Sequence, residues 1–386
     1  MQLGLVLTND WELYGDGSGD YFALQHRPLQ ALLQAVESFG AKLTVMAEVG
    51  QQWAHRAAGD THAWAREIAD AWDAQLRDTV ARRSDVQLHL HPQWLNARWD
   101  GVGARGRWQL DYDHWSVGAL PRPLLRATLA RGKQELERLL RPVDPAYECV
   151  AFRAGAYCIQ PSGAVIGELL HAGFRCDTSV SKGLRQPPWY DYRDAHSYVR
   201  PWFVVQDVRH AAERTDGELL ELPIYARPAV DAPVVRKLLS PALFYRLAFG
   251  VPVTDADARW LAAKRRRRLR EYPPTRRPLW ARQRTSPAWW LRHVVAKSAI
   301  QLDYDALPPR VFVKFLESLY ADAETRGLDR VILPVVASGH TKDMPDTDNL
   351  RRILEEIARR LPERVVYWTL AEAVDYWRRH TASRAA

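Results

Sequence analysis

The stretch Asp85-Val86-Gln87-Leu88-His89-Leu90-His91-Pro92-Gln93-Trp94 decides how this chain is read. Its apolar and polar residues alternate with the period of a strand, so His89 and His91 leave the same face. Pro92 has no N–H to give to a ladder, and the strand is expected to stop there. Both imidazoles then stand at the C-terminal tip, where α/β proteins gather their sites. Two histidines so placed have metal-ligand geometry, and Trp94 is expected at the rim of the site.

Working outward, strand and helix alternate along most of the chain. Residues 2–8 form a nearly continuous apolar run, the pattern of a strand buried on both faces, ending in Thr8-Asn9-Asp10-Trp11-Glu12. The loop Gly15 to Asp20 is glycine-rich but lacks the Lys-Ser/Thr of a phosphate-binding loop. Leu29, Leu32, Leu33 and Val36 mark a helix over 28–39, followed by a strand at 42–46 and a helix at 63–81. A loop rich in tryptophan and glycine spans 99–115, and a helix follows over 123–140. Later strands are expected at 149–153, 174–180, 219–224, 331–336 and 365–368, with helices at 162–171, 311–325 and 349–360. About seven or eight strands alternating with helices imply a parallel sheet, and a closed or partly closed β/α barrel fits best.

A length of 386 residues allows one large α/β domain with insertions. The first residues carry no basic region and no small-residue cleavage site, and the apolar run is too short to span a membrane. Cys149, Cys158 and Cys176 are odd in number and not in CxxC spacing, which suits reduced thiols in a cytoplasm. The net charge of +8 is concentrated between Lys264 and Arg284, where Glu271 is the one acid. The sixteen tryptophans suit sugar stacking or a membrane interface.

In a barrel, side chains at the strand ends converge on one mouth. Those ends here carry Asp10 and Glu12, His89 and His91, Arg153, Asp177 and His340. A hydrolytic metal site needs N or O ligands with an open position, a base for the water and an acid for the leaving group. One carboxylate of Asp10 and Glu12 would complete the ligand set with His89 and His91, and the other would be the base. Arg153 would hold that base ionised, and His340 would protonate a departing amine.

The spaced set resembles the polysaccharide deacetylase superfamily (NodB-homology, carbohydrate esterase 4-like), over roughly residues 1–225 and 330–386. Thr8 to Glu12 looks like its first motif, His89-Leu90-His91-Pro92 its second, and Phe152-Arg153-Ala154-Gly155-Ala156-Tyr157 its third. Gly173 to Ser179 is similar to a later site segment and Ser338-Gly339-His340 to the last motif. Two spacings depart from the family: Trp11 separates the two acids, and the histidines are two rather than four apart. Gln93 stands at the wider spacing, and His114 is a distant substitute.

The resemblance implies an α/β fold, a distorted (β/α)7-8 barrel. It implies catalytic Asp10, His340 and Arg153, and the metal ligands Glu12, His89 and His91. Trp11, Trp94, Tyr157 and Asp177 are the expected substrate-binding residues. The cofactor would be a divalent metal, zinc first, with cobalt, nickel or manganese as alternatives. The divergent members without signal peptides that the sequence looks most like act in bacterial surface-glycan biosynthesis. A cytoplasmic deacetylase acting on an amino sugar, nucleotide- or lipid-linked, is therefore expected. A deformylase-like C–N hydrolase and a non-catalytic glycan-binding barrel are the rivals.

Residues 1–386 are read as one such barrel domain, with a basic Trp/Arg-rich insertion at 228–308. The insertion either caps the mouth with a solvated basic face or touches an anionic membrane peripherally through 264–290. No nucleic-acid-binding module is recognisable.

Overall fold

The computed structural model describes residues 1–212, 218–230, 239–273, 297–328 and 330–385. The chain runs through β1 (Gln2–Trp11), α1 (Arg27–Glu37), β2 (Leu43–Glu48), α2 (Val49–Gly59), α3 (Ala63–Ala81) and β3 (Asp85–Leu90). A hairpin of β4 (Arg98–Val102) and β5 (Arg105–Gln109) precedes α4 (Arg122–Leu140), β6 (Ala151–Ala154), α5 (Gly163–His171) and β7 (Cys176–Asp177). Next come β8 (Arg185–Gln186), β9 (Tyr190–Asp191), β10 (Trp202–Val204), β11 (Leu219–Glu221) and β12 (Ala226–Val230). Then follow α6 (Pro241–Phe249), α7 (Asp255–Glu271), β13 (Lys297–Gln301), α8 (Pro309–Ser318), β14 (Ile332–Ala337), α9 (Asp348–Arg360), β15 (Val365–Tyr367) and α10 (Leu370–Ala385).

The main sheet has the order β10-β11-β7-β6-β3-β2-β1-β14, with β15 also on β1, and every neighbouring pair is parallel except β10 with β11. Every residue of β1 after Gln2 is buried, as its apolar run requires of a central strand. Its second edge is shared: β15 pairs with Leu3 to Leu5, and β2 with Leu7 to Trp11. Just beyond β11, Ile224 forms a parallel bridge to Val336 of β14 and its N–H bonds Val180. That bridge joins the two ends of the row, so β1, β2, β3, β6, β7, β11 and β14 curl into the expected distorted barrel.

The helices lie where apolar periodicity places them, and α1 buries Leu29, Leu32, Leu33 and Val36 against the sheet. Several features differ from the sequence reading, among them the helix expected over 311–325, which ends at Ser318. The helix α2 was not expected; Glu48 caps it by accepting from Gly50 N. The tryptophan- and glycine-rich loop contains the β4–β5 hairpin, in which Trp99 sits opposite Trp108. The strand expected over 174–180 shortens to Cys176–Asp177, because Thr178 to Val180 turn to bond other partners.

The parallel register sets the site. Glu48 pairs with His89, and His89 with Arg153, so three polar side chains form a row across adjacent strand ends. Phe152 pairs with Asp177, and Asp177 with Glu221.

Candidate active site

Alternation along β1 sends Asp10 and Glu12 into the mouth and Trp11 outward. Asp10 is 2% exposed, and its Oδ1 receives Arg153 Nη1 at 2.6 Å. Arg153, with no exposed surface, also donates to Thr8 Oγ1 at 2.9 Å and to the Thr178 carbonyl at 3.0 Å. On the other side, His340 Nε2 stands 3.5 Å from Asp10 Oδ2. The Asp10 N–H bonds the Gly339 carbonyl, which fixes the loop after β14 against the end of β1.

Asp305 steadies His340: its Oδ2 accepts the His340 N–H at 3.0 Å and lies 3.6 Å from Nδ1. Lys264 of α7 in turn pairs with Asp305 Oδ1 at 3.2 Å. Burial opposes charge on both members of the Asp10–His340 pair, and their neighbours outweigh it. Arg153, His89 and His340 hold Asp10 below the usual aspartate range. The hydrogen bond to Asp305 and the charge of Asp10 raise His340.

Beside this pair lies a second cluster. Glu12, Glu48, His89 and His91 are all buried and each offers a ligand atom, all within 4.8 Å of one another. His89 Nδ1 stands 2.9 Å from the Arg153 carbonyl, so it carries the proton and Nε2 carries a lone pair. That Nε2 points at Glu12 Oε2, 3.4 Å away, and has no hydrogen-bond partner. His91 Nε2 touches the same oxygen, likewise without a hydrogen bond. Gln93 Nε2 lies 3.0 Å from His91 Nδ1, while Gln93 Oε1 has no partner. A half-turn of that amide lets Oε1 accept from Nδ1–H and leaves His91 Nε2 with a lone pair as well.

Two lone pairs and a carboxylate oxygen converging in a buried space repel one another unless a cation stands among them. Burial disfavours charge on His89, but the close Glu12 carboxylate and the charges of Asp10 and Glu48 raise it to about 9. At His91 burial prevails and lowers it. Burial likewise opposes charge on Glu12, yet His91, Lys342 and His89 hold it well below the carboxylate range. Lys342 pairs with Glu12 Oε1, leaving Oε2 to the imidazoles. The donor set of imidazole nitrogens and carboxylate oxygens fits a divalent transition metal.

Gly155 is required by a close approach: a Cβ there would stand 2.4 Å from His91 Cγ. Gly155→Ala is expected to push the His91 ring off the cluster and weaken metal binding by about 10–100-fold, the scale of a lost supporting contact. Competition against a chromophoric chelator measures this; unchanged affinity would show that His91 is not a ligand.

Asp10, Glu12, His89, His91, Arg153 and His340 therefore come together, as their strand-end positions suggested. The expected substrate residues largely do not. Trp11 has no exposed surface and stacks on Trp72 at 5.8 Å, because alternation turns it toward the helices. Trp94 is 3% exposed and packs under Trp108 at 5.5 Å, since the turn at Pro92–Trp94 folds it inward from the rim. Asp177 is wholly buried, accepts from Ser179 Oγ at 2.7 Å and is held beside Glu221 by strand register. Tyr157 stays half-buried near Asp10 and Arg153, and both it and Ala156 adopt positive φ (62° and 50°), a strained pair of non-glycine residues. His114 bonds Asp111 at 2.7 Å and takes no part in the cluster.

Sequence reasoning missed Glu48, Asp305, Lys342 and Lys264. Glu48 ends β2 and pairs with His89 near the end of β3, so the same strand-end argument carried two residues past Met46 finds it. Asp303-Tyr304-Asp305 repeats the alternating acids of Asp10 and Glu12 just after β13. Lys264 belongs to the basic run, which is not wholly a solvated face. On α7, Trp260 Nε1 donates to Asp346 at 2.8 Å, Lys264 pairs with Asp305, Arg267 donates to the Ala23 carbonyl at 2.9 Å, and Arg268 stands 3.4 Å from Asp343. Arg265, Arg266 and Arg270 face solvent. Trp280, Trp289 and Trp290 lie outside the described residues.

No protein-family model matches the chain, and no curated protein matches it. Solved structures do, twelve chains in all, and polysaccharide deacetylases are among them. A protein described as a polysaccharide deacetylase from Mycobacterium smegmatis shares 15% identity, covering 98% of this chain and 91% of that one, with a TM-score of 0.45. One so described from Pseudomonas aeruginosa PAO1 shares 12% identity over 98% and 90%, with a TM-score of 0.42. A GH57 branching enzyme from Thermococcus kodakaraensis shares 12% over 98% and 72%, with a TM-score of 0.47. Likenesses of this depth leave the functional reading to the geometry of the site.

Proposed function

We propose that the chain is a metal-dependent hydrolase that removes an N-acetyl group from an amino sugar in bacterial surface-glycan biosynthesis. The observation that carries this reading is the Asp10–His340 pair beside the buried Nε2 atoms of His89 and His91. Asp10 is pushed toward the ionised form and His340 toward the protonated form, 3.5 Å apart. That is a base and an acid ready at one pH.

Glu12, His89 and His91 would hold the metal, with Glu48 in reach. Zinc is the first candidate, and cobalt, nickel and manganese suit the same donors. When bound, such a cation polarises a carbonyl and makes water a stronger nucleophile at neutral pH. The chain's own residues do the rest. Asp10 Oδ2 takes a proton from the attacking water, while Arg153 on Oδ1 keeps the carboxylate ionised and oriented. The water oxygen bonds the acyl carbon, the C–N bond breaks, and His340 Nε2 delivers a proton to the departing amine. Asp305, itself held by Lys264, fixes the His340 ring for that transfer. A pure glycan-binding barrel would have no use for this pair.

The same reading takes residues 1–386 as one barrel, with 228–308 as an insertion whose helix α7 closes onto the mouth. The three cysteines are free and buried, which supports a cytoplasmic setting. No described helix is long and apolar enough to cross a membrane. The exposed Arg265, Arg266 and Arg270 are available for peripheral contact with an anionic bilayer.

Elemental analysis of the purified protein beside His89→Ala tests the centre. Near-stoichiometric transition metal is expected in the wild type and a loss of most of it in the variant, together with acetate release from N-acetylated sugars by the wild type alone. A wild type that takes up no metal after incubation with zinc or cobalt would sink the reading.

A further inference from the structure

A cavity of about 480 Å³ lies where the C-terminal end of α6 meets α8 and α9. Its lining carries Arg310, Lys314, Arg359 and Arg360 and no acid, together with the stretch from Phe249 to Pro252. All four basic residues are exposed. Behind them, Glu356 stands 3.8 Å from Arg310 and 2.5 Å from Arg359, and Glu317 stands 2.7 Å from Arg360. Two carboxylates thus serve three guanidinium groups, and Lys314 makes no ion pair among the described residues. The cavity keeps a net positive charge, and its volume is within the ~300–1,000 Å³ of small-ligand sites.

Helix α6 brings an apolar face to the same place. Its inner side is seated on the barrel. Phe244 and Tyr245 are buried, the Tyr245 hydroxyl donates to the Ala306 carbonyl at 3.2 Å, and Phe249 meets Phe315 of α8 with ring centroids 5.0 Å apart. The outer side carries Leu243 and Leu247, one turn apart and 44% and 68% exposed, with the exposed Arg246 beside them. From Pro241 to Val253 the sequence holds no acidic residue. Leu247 is only two residues from Phe249, where the cationic lining begins.

We infer that this face docks on an anionic phospholipid bilayer, with the cavity taking a headgroup phosphate while Leu243 and Leu247 enter the acyl boundary. Guanidinium forks match phosphate oxygens, and Lys314 adds a point charge. Apolar side chains of a helix lying in the interface sink below the headgroups, and nearby cations add attraction to anionic lipid. A soluble phosphate compound would leave the two leucines unused. A second copy of the chain docking by two-fold symmetry would set the same four cations against one another. The inference is independent of the hydrolase chemistry, and it assigns bilayer contact to α6 and this cavity ahead of the exposed arginines of α7.

The test is co-sedimentation of the full chain with vesicles of equimolar phosphatidylglycerol and phosphatidylcholine, and with vesicles of phosphatidylcholine alone. Leu247→Glu and Lys314→Glu, both at exposed positions, are measured beside Arg265→Ala/Arg266→Ala/Arg270→Ala. The wild type is expected to bind the anionic vesicles and not the neutral ones. Leu247→Glu and Lys314→Glu should each lower the partition coefficient by about tenfold or more, and the α7 variant by less than either. The proposal is overturned by failure to bind anionic vesicles, by equal binding to neutral ones, by binding that either single variant leaves unchanged, or by an equal loss in the α7 variant. Light scattering that shows a dimer dissociated by Leu247→Glu would give the face to a second copy and overturn it too. Vesicle binding requires neither metal nor turnover, so its outcome is read separately from metal content and acetate release.

Discussion

Asp10→Asn is expected to lower kcat by about 10²–10⁴-fold, the usual contribution of a positioned general base, while bound metal stays near stoichiometric. The amide keeps the shape of the carboxylate but cannot take the proton of the attacking water. It is not a ligand in the reading above, so metal content separates this variant from His89→Ala. The pH profile of the wild type follows from the same pair. Asp10 must be ionised, and its value lies below the ordinary ~3.9 of aspartate, so the acid limb falls there. His340 must be protonated, and its value lies above the ordinary ~6.5, so activity is expected to persist to higher pH than a free imidazole would allow and to decline as His340 loses its proton. His340→Asn should remove that basic limb along with most of the rate. Retention of more than about a tenth of wild-type kcat in Asp10→Asn would contradict the assignment of the base.

Arg153→Leu is expected to cost about 3–5 kcal/mol of stability, the penalty for leaving one partner of a buried ion pair alone. Both partners are almost wholly buried, and Asp10 Oδ1 would lose its donor at 2.6 Å. The pH dependence should change sign. In the wild type Asp10 titrates lower folded than unfolded. Its contribution is therefore present above the unfolded value and fades as pH falls through the folded one. Without Arg153 the burial that opposes ionisation of Asp10 gains ground, and its folded value is expected to rise above the unfolded one. Ionised Asp10 then destabilises the fold at neutral pH, and the variant should recover stability on mild acidification where the wild type does not. Urea midpoints at about pH 7 and pH 5, with Asp10→Asn/Arg153→Leu as the control that recovers part of the loss, measure this. A loss below about 1 kcal/mol with an unchanged pH trend would show that Arg153 does not hold Asp10 in place.

Much of the site was legible because β-structure has a fixed period. Asp10 and Glu12, and His89 and His91, are two residues apart, and a strand end turns such pairs to one side whatever surrounds them. The apolar runs of β1 and β14 and the 3.6-residue spacing of α1, α3 and α4 likewise announce themselves without tertiary help. The tryptophans were misjudged because a motif neighbour is not a spatial neighbour. The period that sends Asp10 and Glu12 inward sends Trp11 out onto Trp72, and the turn after Pro92 carries Trp94 under Trp108. Exposure depends on what packs above a side chain, which no local pattern contains.

The amino-acid sequence by itself determined the alternation of strand and helix, the strand-end placement of both acids and both histidines, and the chemistry those donors can do. Tertiary structure alone decided the partners that set their charge. Register places Glu48 beside His89 and His89 beside Arg153. The Ile224–Val336 bridge closes the ring. Lys264, 254 residues after Asp10, arrives on α7 to hold the aspartate that holds His340. These are long-range pairings, and a buried ionisable group takes its charge from whatever neighbour the fold delivers to it.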